Sequence, residues 1–196
     1  MLDRTLVSLE YKPTKHGDDY WSHKSQYGIS AMVVCDDKRK MRYMFIGFRG
    51  SAHDMRVDSN SSMARQVSKL FSPGEYLLAD SAYTTTTHII ASYKKPAAGV
   101  MSPNNERFNF YHSSTRIKIE YTNGILQGRF PSLQSLRIKI HDKQTHRAAV
   151  EWTQACVVLH NMLLKDSYFD DNWTKYRESG IPEISHDAAV VDGKDF

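Results

Sequence analysis

The chain has 196 residues, of which 40% are hydrophobic and 24% are charged, a composition ordinary for one soluble globular domain. No apolar stretch reaches the length of a membrane-spanning helix, and the first residues lack the basic, apolar and small-residue blocks of a signal peptide. The two cysteines lie in apolar runs. They predict buried thiols in a reducing compartment and argue against a disulfide framework.

Charge is unevenly distributed along the chain. The net charge is +4, from 26 basic and 22 acidic residues. From Asp166 onward eight acidic residues face three basic ones, which leaves 23 basic and 14 acidic residues before that point. We therefore expect a basic folded domain over residues 1–165 and an acidic, disordered tail over 166–196. A basic surface is compatible with nucleic acid binding, but a solvated lysine-rich surface explains it equally well.

The first half of the chain predicts mostly strands. Residues 2–9 alternate in polarity, and two apolar runs at 27–35 and 41–48 are separated by a short charged turn. These patterns predict a hairpin and, with the first segment, a three-stranded meander. Residues 54–71 weakly predict a helix, and residues 76–79 predict a short buried strand that ends at Asp80.

The second half predicts two helices after a connection that is mostly loop over residues 81–103. The first helix spans residues 104–130, with an apolar stripe formed by Phe110, Ile117, Tyr121 and Ile125. The second spans residues 145–164 and is apolar on most faces, so we expect it, with Trp152, to lie in the core. This order predicts an α/β fold in which helices flank a mixed sheet.

Three acidic residues occupy positions that packing does not explain. Asp3 lies inside the first strand, Asp80 ends a buried strand, and Glu120 lies in the long helix beside its apolar stripe. Carboxylates that share a cleft stay ionised only if a cation balances them, and Mg²⁺ prefers such oxygen ligands. Two such ions can cleave a phosphodiester by in-line displacement. The alternative is that each acid is an ordinary surface or strand-end charge, because 22 acids offer many triples.

Several blocks of the sequence resemble the transposases of PIF/Harbinger elements, which are DDE superfamily endonucleases. The resembling blocks appear in the family's order and cover about residues 2–164. They are LDRT at 2–5, AMVVCD at 31–36, GFRGSAHDMRV at 47–57, LLADSAY at 77–83, the long block RFNFYHSSTRIKIEYTNGILQGRF at 107–130 and ACVVLHNML at 155–163. The long block is the most specific, because it places several polar residues at helical offsets.

The resemblance implies an RNase H-like catalytic domain, a divalent metal such as Mg²⁺ or Mn²⁺, and DNA cleavage in the nucleus. Asp3, Asp80 and Glu120 match the catalytic, metal-binding acids of the family. Asp54 matches a further acid and competes for a metal role, although a helix N-cap is the preferred interpretation. In some elements the family also implies a Myb-like DNA-binding partner.

Four basic residues are candidate contacts for DNA phosphates, namely Lys94, Lys95, Arg116 and Arg129. For Lys94, Lys95 or Arg129 taken singly, a solvated basic surface is the preferred interpretation. Arg116, one turn before Glu120, could equally form a helical ion pair. His112 and His160 recur in the resembling blocks, but we expect local hydrogen bonds from them and not metal binding.

Three features depart from the family pattern. Arg4 replaces the usual Gly and could crowd Asp3 or pair with it, and Gln127 stands where a Lys is common. The N-terminal helical region that the resemblance implies is also missing from this chain. A second hypothesis therefore stays open, namely a catalytically inactive, domesticated or truncated relative that acts as a nuclear DNA- or protein-binding module.

Overall fold

A computed structural model describes residues 1–51, 70–97 and 99–164 of the chain. Three antiparallel strands form the main sheet in the order β1 (Leu2–Ser8), β2 (Gly28–Cys35), β3 (Met41–Arg49). The register pairs Asp3 with Val33 across β1 and β2. The predicted three-stranded meander is therefore confirmed, with bounds within a residue of those expected.

Two short parallel strands form a second sheet next to the first. They are β4 (Leu77–Ala79) and β5 (Ile89–Ala91), and residues of β4 come within 8 Å of β1. The strand β4 was expected, whereas β5 lies in a segment predicted to be mostly loop. Its three residues are too few to give an alternating pattern, so nothing in the local sequence distinguishes it from a loop.

Two long helices complete the described part of the fold, α1 (Pro103–Arg129) and α2 (Lys143–Leu163). The Ser102 hydroxyl accepts a hydrogen bond from the Asn105 N–H and caps α1, and Pro103 occupies the first turn. Asp142 and Thr145 form a reciprocal capping box that starts α2. Short 3₁₀ helices at Gly17–Tyr20 and Pro131–Leu133 were not predicted. No described helix is long and apolar enough to span a membrane.

The two faces of the main sheet carry different hydrophobic clusters. On the face toward the helices, buried residues of β2 and β3 pack against buried residues of both helices. The strand residues include Ile29, Ala31, Val33 and Ile46, and the helix residues include Leu126, Ala149, Cys156 and Val157. On the other face Leu2, Met32 and Val34 pack with Ala79, Tyr83 and Ile89. Since alternate residues of a strand face opposite sides, Asp3 lies on the helical face while Leu2 and Arg4 lie on the other.

Two packing predictions for the helices need correction. In α1 the predicted apolar stripe is buried only in part, because Ile125 is buried but Phe110 is 60% exposed. The inward face also includes His112, Arg116 and Ile119, which the stripe did not contain. In α2 only one face is buried, and Trp152 is half exposed, with its indole N–H donating to Ser132 Oγ at 3.0 Å. Both helices contact a sheet of only a few strands, so each buries one face and leaves other apolar residues in solvent.

The two cysteines, Cys35 and Cys156, are both buried and unpaired by disulfides, as predicted. Burial raises the pKa of both thiols, which keeps them protonated and unreactive. They therefore act as small core residues.

Candidate active site

Asp3 is held between the main sheet and α1. Its side chain is 20% exposed and faces Arg116, whose own side chain is 10% exposed. The Arg116 Nη2 atom donates to Asp3 Oδ1 at 3.3 Å, and Asn123 Nδ2 donates to Asp3 Oδ2 at 3.5 Å. Each carboxylate oxygen thus has a donor from a different turn of the same helix.

Burial raises the pKa of Asp3 from 3.8 to about 6. The positive charge of Arg116 and the backbone N–H of Arg4 act in the opposite direction, and the negative charges of Asp80 and Glu120 raise the pKa further. An additional positive charge near Asp3 would therefore stabilise its ionised form.

Asp80 follows directly after β4, at the end of the strand that approaches β1. Its Oδ1 atom accepts a hydrogen bond from the Ala82 N–H at 2.9 Å, which forms a local turn over the small residues Ser81 and Ala82. This turn fixes one carboxylate oxygen and leaves the side chain half-buried at the end of the strand.

Glu120 lies on α1 between the two residues that contact Asp3. At 100° per residue, positions 116, 120, 123 and 127 fall within about 60° of one another, so they share the helical side that faces β1. Gln127 confirms this orientation, because its Nε2 atom donates to the Leu6 carbonyl at 3.4 Å. Glu120 itself is exposed, because it lies at the edge of this contact and not beneath it.

The structure therefore brings the three predicted acids to one region, although they come from 3, 80 and 120 in the sequence. Within residues 1–51, 70–97 and 99–164, however, no three acidic, histidine or cysteine side chains converge closely enough to hold a metal ion as they stand. The assignment of these acids as metal ligands remains a prediction. Asp54 lies outside the described residues.

Arg4 does not crowd Asp3, contrary to one expectation from the sequence. Its Nε atom donates to Ser30 Oγ at 2.6 Å, and an Nη atom donates to the Gly50 carbonyl at 2.8 Å. Both partners lie on the sheet face opposite α1, because successive strand residues point to opposite sides. The arginine that pairs with Asp3 is Arg116, whose predicted alternatives were an ion pair with Glu120 and a DNA contact.

The other predicted DNA contacts lie in two different environments. Lys94 and Lys95 are exposed just after β5. Arg129 is instead half-buried where α1 meets α2, and its Nη1 atom lies 3.3 Å from Nδ1 of the buried His160. In this geometry Arg129 joins the two helices, while the two lysines are accessible to a ligand.

A groove of about 890 Å³ runs beside the N-terminal half of α1. Along the helix axis its residues Ser113 and Ile117 precede Glu120 by roughly 10 and 4.5 Å. The groove therefore leads from the lysines toward the acids. Its lining is largely apolar and includes Lys95, Val100, Met101, Phe110, Ser113 and Ile117.

Polar residues of the two resembling blocks at 107–130 and 155–163 make hydrogen bonds to the backbone of other segments. Asn109 accepts from the Tyr93 N–H at 2.9 Å and donates to the Tyr93 carbonyl at 3.0 Å. His112 Nε2 lies 3.0 Å from the Ile90 carbonyl, and His160 Nε2 lies 3.4 Å from the Arg39 carbonyl. The prediction that both histidines make hydrogen bonds is confirmed.

Asn123 is the site residue that the sequence reasoning missed. It lies seven residues, or two helical turns, after Arg116 and so on the same side of α1. The spacing alone does not identify Asn123 as a site residue, because ordinary exposed polar residues of a helix show the same spacing. Only its contact with Asp3 in the structure does so.

Comparison with known families gives the class of protein to which this sheet-and-helix domain belongs. The chain matches the family described as DDE superfamily endonuclease over residues 2–161. It belongs to this family, and the Harbinger-type resemblance of the sequence blocks is confirmed.

Individual relatives are distant but consistent. The chain is 24% identical over 165 residues to the putative nuclease HARBI1 of Xenopus laevis, a match that covers 84% of this chain and 46% of the relative. It is 26% identical over 156 residues to the putative nuclease HARBI1 of Homo sapiens, covering 78% and 42%. The chain thus spans less than half the length of these relatives. No solved structure matches it.

Proposed function

We propose that this chain is the catalytic domain of a divalent-metal-dependent DNA endonuclease or transposase with an RNase H-like arrangement. The observation that carries the proposal is geometric: Arg116 and Asn123 of α1 contact Asp3 on either side of Glu120, and Asp80 follows the strand that approaches β1. Three acids from β1, the end of β4 and α1 thus lie in one region of the domain. Family membership supports nuclease chemistry on nucleic acid.

The side chains fit a hard divalent cation such as Mg²⁺ or Mn²⁺ by their donor chemistry. Asp3, Asp80 and Glu120 would hold it, and all of their ligand atoms are carboxylate oxygens. The buried Oδ1 atom of Asn123 accepts no hydrogen bond from the described residues, so a further oxygen lies unused beside Asp3. The raised pKa of Asp3 indicates that the carboxylate would gain from a nearby cation. Asp54, which the family resemblance makes a further candidate ligand, is outside the described chain.

The proposed reaction is hydrolysis of a phosphodiester, or its transfer to a DNA 3′-hydroxyl, by a two-metal mechanism. Bound divalent ions would supply Lewis acidity and lower the pKa of the attacking hydroxyl group. The chain's own residues would orient the reacting centre: Asp3 comes from β1, Asp80 follows β4, which approaches β1, and Glu120 comes from α1. Arg116 keeps part of the negative charge of the site balanced.

The DNA would approach along the groove beside α1. Lys94 and Lys95 lie exposed near one end of this groove and can neutralise phosphates. Its apolar wall, with Phe110 and Met101, is suited to the faces of sugars or bases. Nuclear localisation and a Myb-like partner for sequence recognition are further parts of this proposal, which fractionation of tagged protein and co-precipitation with such a partner would test.

The test is cleavage of duplex DNA that carries element ends, with Mg²⁺ or Mn²⁺ present or chelated. We expect metal-dependent nicking that Asp80→Ala and Glu120→Ala both abolish. Glu151→Ala is the control, because Glu151 is an exposed acid on α2 that contacts Arg147 and lies outside the groove. Cleavage that survives chelation, or that Glu120→Ala leaves at the level of Glu151→Ala, would refute the nuclease assignment.

A second candidate function is DNA binding without cleavage, as in a domesticated relative. One observation favours it, namely that Asp3 is paired with Arg116 while no three-acid cluster is assembled among the described residues. In that case the chain binds duplex DNA with equal affinity with and without metal, and no nicking appears at any Mn²⁺ concentration.

A further inference from the structure

Asp3 receives both of its side-chain donors from α1, the helix that also carries Glu120. Arg116 contacts one carboxylate oxygen and Asn123 the other, at 3.3 and 3.5 Å. Glu120 lies between these two positions, about 6 Å along the axis from one and 4.5 Å from the other. A single rigid element thus determines where two acids from distant parts of the sequence stand relative to each other.

Burial makes the Arg116 contact stronger than its length alone suggests. The Arg116 side chain is 10% exposed, so its charge is screened less by water than that of a surface pair. The described residues offer it no acidic partner closer than Asp3. The guanidinium therefore acts mainly on this carboxylate.

Both donor residues keep one buried polar atom unsatisfied by the described residues. These atoms are Arg116 Nε and Asn123 Oδ1. A buried polar atom without a hydrogen bond costs stability, so residues that served only the fold would be expected to satisfy it or be apolar. Their position beside an acid of the candidate site points to a role in that site.

We propose that Arg116 and Asn123 are positioning residues. They hold the two carboxylate oxygens of Asp3 at a fixed place relative to Glu120, so that both carboxylates can bind the same cation. The inference rests on the proposed function, in which these acids hold a divalent cation. Partners of ligating carboxylates commonly change metal affinity or activity by about 10- to 100-fold when they are removed.

The experiment compares Arg116→Met, Arg116→Lys and Asn123→Ala with the full chain and with Lys118→Met. Lys118 is exposed on the same helix, so its substitution removes the same charge without touching Asp3. We expect kcat for Mn²⁺-dependent cleavage to fall about 10- to 100-fold in Arg116→Met and Asn123→Ala, with KM for DNA nearly unchanged. Arg116→Lys should recover part of the loss.

A second readout avoids activity altogether. Calorimetric titration of the DNA-free protein with Mn²⁺ should show a Kd about tenfold weaker in Asn123→Ala, which changes no charge, than in Lys118→Met. Two results together would overturn the proposal. They are a Kd for Mn²⁺ in Asn123→Ala, and a kcat in Arg116→Met, that each lie within about twofold of the Lys118→Met value, even if the melting temperatures of the two variants fall. Such a result would mean that the two residues serve only the fold.

A third readout separates failure of this inference from failure of the proposed function. In metal-free protein the ¹³Cγ resonance of Asp3 should shift in Arg116→Met and Asn123→Ala but not in Lys118→Met. If the unmodified chain neither binds Mn²⁺ nor cleaves DNA while these shifts occur, the nuclease assignment fails and the positioning of Asp3 stands. If the resonance does not move in either variant, the positioning inference is wrong whatever the activity.

Discussion

The side-chain amide of Asn161 in α2 forms hydrogen bonds with both the N–H and the carbonyl of Met41. Its Oδ1 atom accepts from the Met41 N–H at 2.9 Å, and its Nδ2 atom donates to the Met41 carbonyl at 2.9 Å. Met41 is the first residue of β3, and Asn161 lies in the last turn of α2. This pair therefore fixes the end of the helix to the edge of the main sheet.

Substituting Asn161→Ala should destabilise the domain by about 1–3 kcal/mol, because it leaves two backbone groups of the buried residue Met41 without their partner. Urea unfolding followed by circular dichroism measures this loss. Gln154→Ala on the exposed face of α2 is the control and should change the free energy of unfolding by less than about 0.5 kcal/mol. Equal effects of the two substitutions would show that the Asn161 contacts contribute no stability.

The same two-point contact recurs between Asn109 and Tyr93, where it should control local order more than global stability. Asn109→Ala removes the hydrogen bonds that tie the chain after β5 to α1. We expect faster amide hydrogen exchange at Tyr93 and unchanged exchange in β2, because the contact lies at the periphery. Unaltered exchange at Tyr93 would contradict the assignment of Asn109 as the anchor of this segment.

Much of this fold could be predicted from local sequence patterns. Alternation and apolar runs identified β1, β2 and β3, and the polar turn residues identified the hairpin. The short strand β5 could not be predicted, because its pairing with β4 is a contact between distant residues. The buried face of α1 was predicted only in part, since it also includes Arg116, whose contact with Asp3 no hydrophobic pattern could indicate.

For the candidate site, the sequence identified the acids but not what surrounds them. Asp80 and Glu120 were found from their blocks, and their effect on the pKa of Asp3 agrees with a shared region. That Arg116, and not Arg4, is the partner of Asp3 could not be predicted from the sequence. It depends on which face of β1 each residue occupies and on the packing of a helix more than a hundred residues later.

The titration of Asp3 gives a pH-dependent prediction. Its pKa is raised to about 6 in the folded chain from the ordinary 3.8. The folded state thus retains the proton to a higher pH than the unfolded state. The contribution of Asp3 to the free energy of unfolding should therefore fall as pH rises from 3.8 to 6 and stay constant above that range. Asp3→Asn should lose this dependence in unfolding measured between pH 4 and pH 8.

Carboxyl ¹³C titration of metal-free protein should find the Asp3 midpoint near 6. Because the charge of Arg116 lowers the pKa of this carboxyl, Arg116→Met should move the midpoint higher and Lys118→Met should leave it in place. A midpoint close to 3.8 in the unmodified chain would show that Asp3 is solvated and not buried.

The exposed lysines after β5 should contribute to DNA affinity through phosphate neutralisation. Removing one lysine–phosphate pair lowers the slope of log K against log salt by about 0.9, so Lys94→Gln with Lys95→Gln should reduce it by roughly two. Fluorescence anisotropy over a salt series measures the slope. Lys15→Gln with Lys24→Gln is the matched control, because these two exposed lysines lie between β1 and β2 and do not line the groove beside α1. An equal change in both double variants would place the DNA elsewhere.

Arg4→Gly restores the residue that the family pattern favours, but it should not improve the candidate site. The Arg4 side chain donates to Ser30 Oγ and to the Gly50 carbonyl on the face away from Asp3, so its removal breaks hydrogen bonds that join β1 to β2 and to the end of β3. Glycine also adds conformational freedom within a strand. We expect a loss of about 1–3 kcal/mol in the free energy of unfolding, measured by urea titration.

Mn²⁺ binding should meanwhile stay within about twofold of the unmodified chain, because the Arg4 side chain lies on the other side of the strand from the three acids. Arg4→Met, which keeps the aliphatic part of the side chain but removes its donors, separates the hydrogen bonds from the glycine effect. It should lose stability for the first reason alone, so it should lie between Arg4→Gly and the unmodified chain. Tighter Mn²⁺ binding in Arg4→Gly would show that Arg4 does restrict Asp3, and it would make this departure from the family pattern a cause of weakened activity.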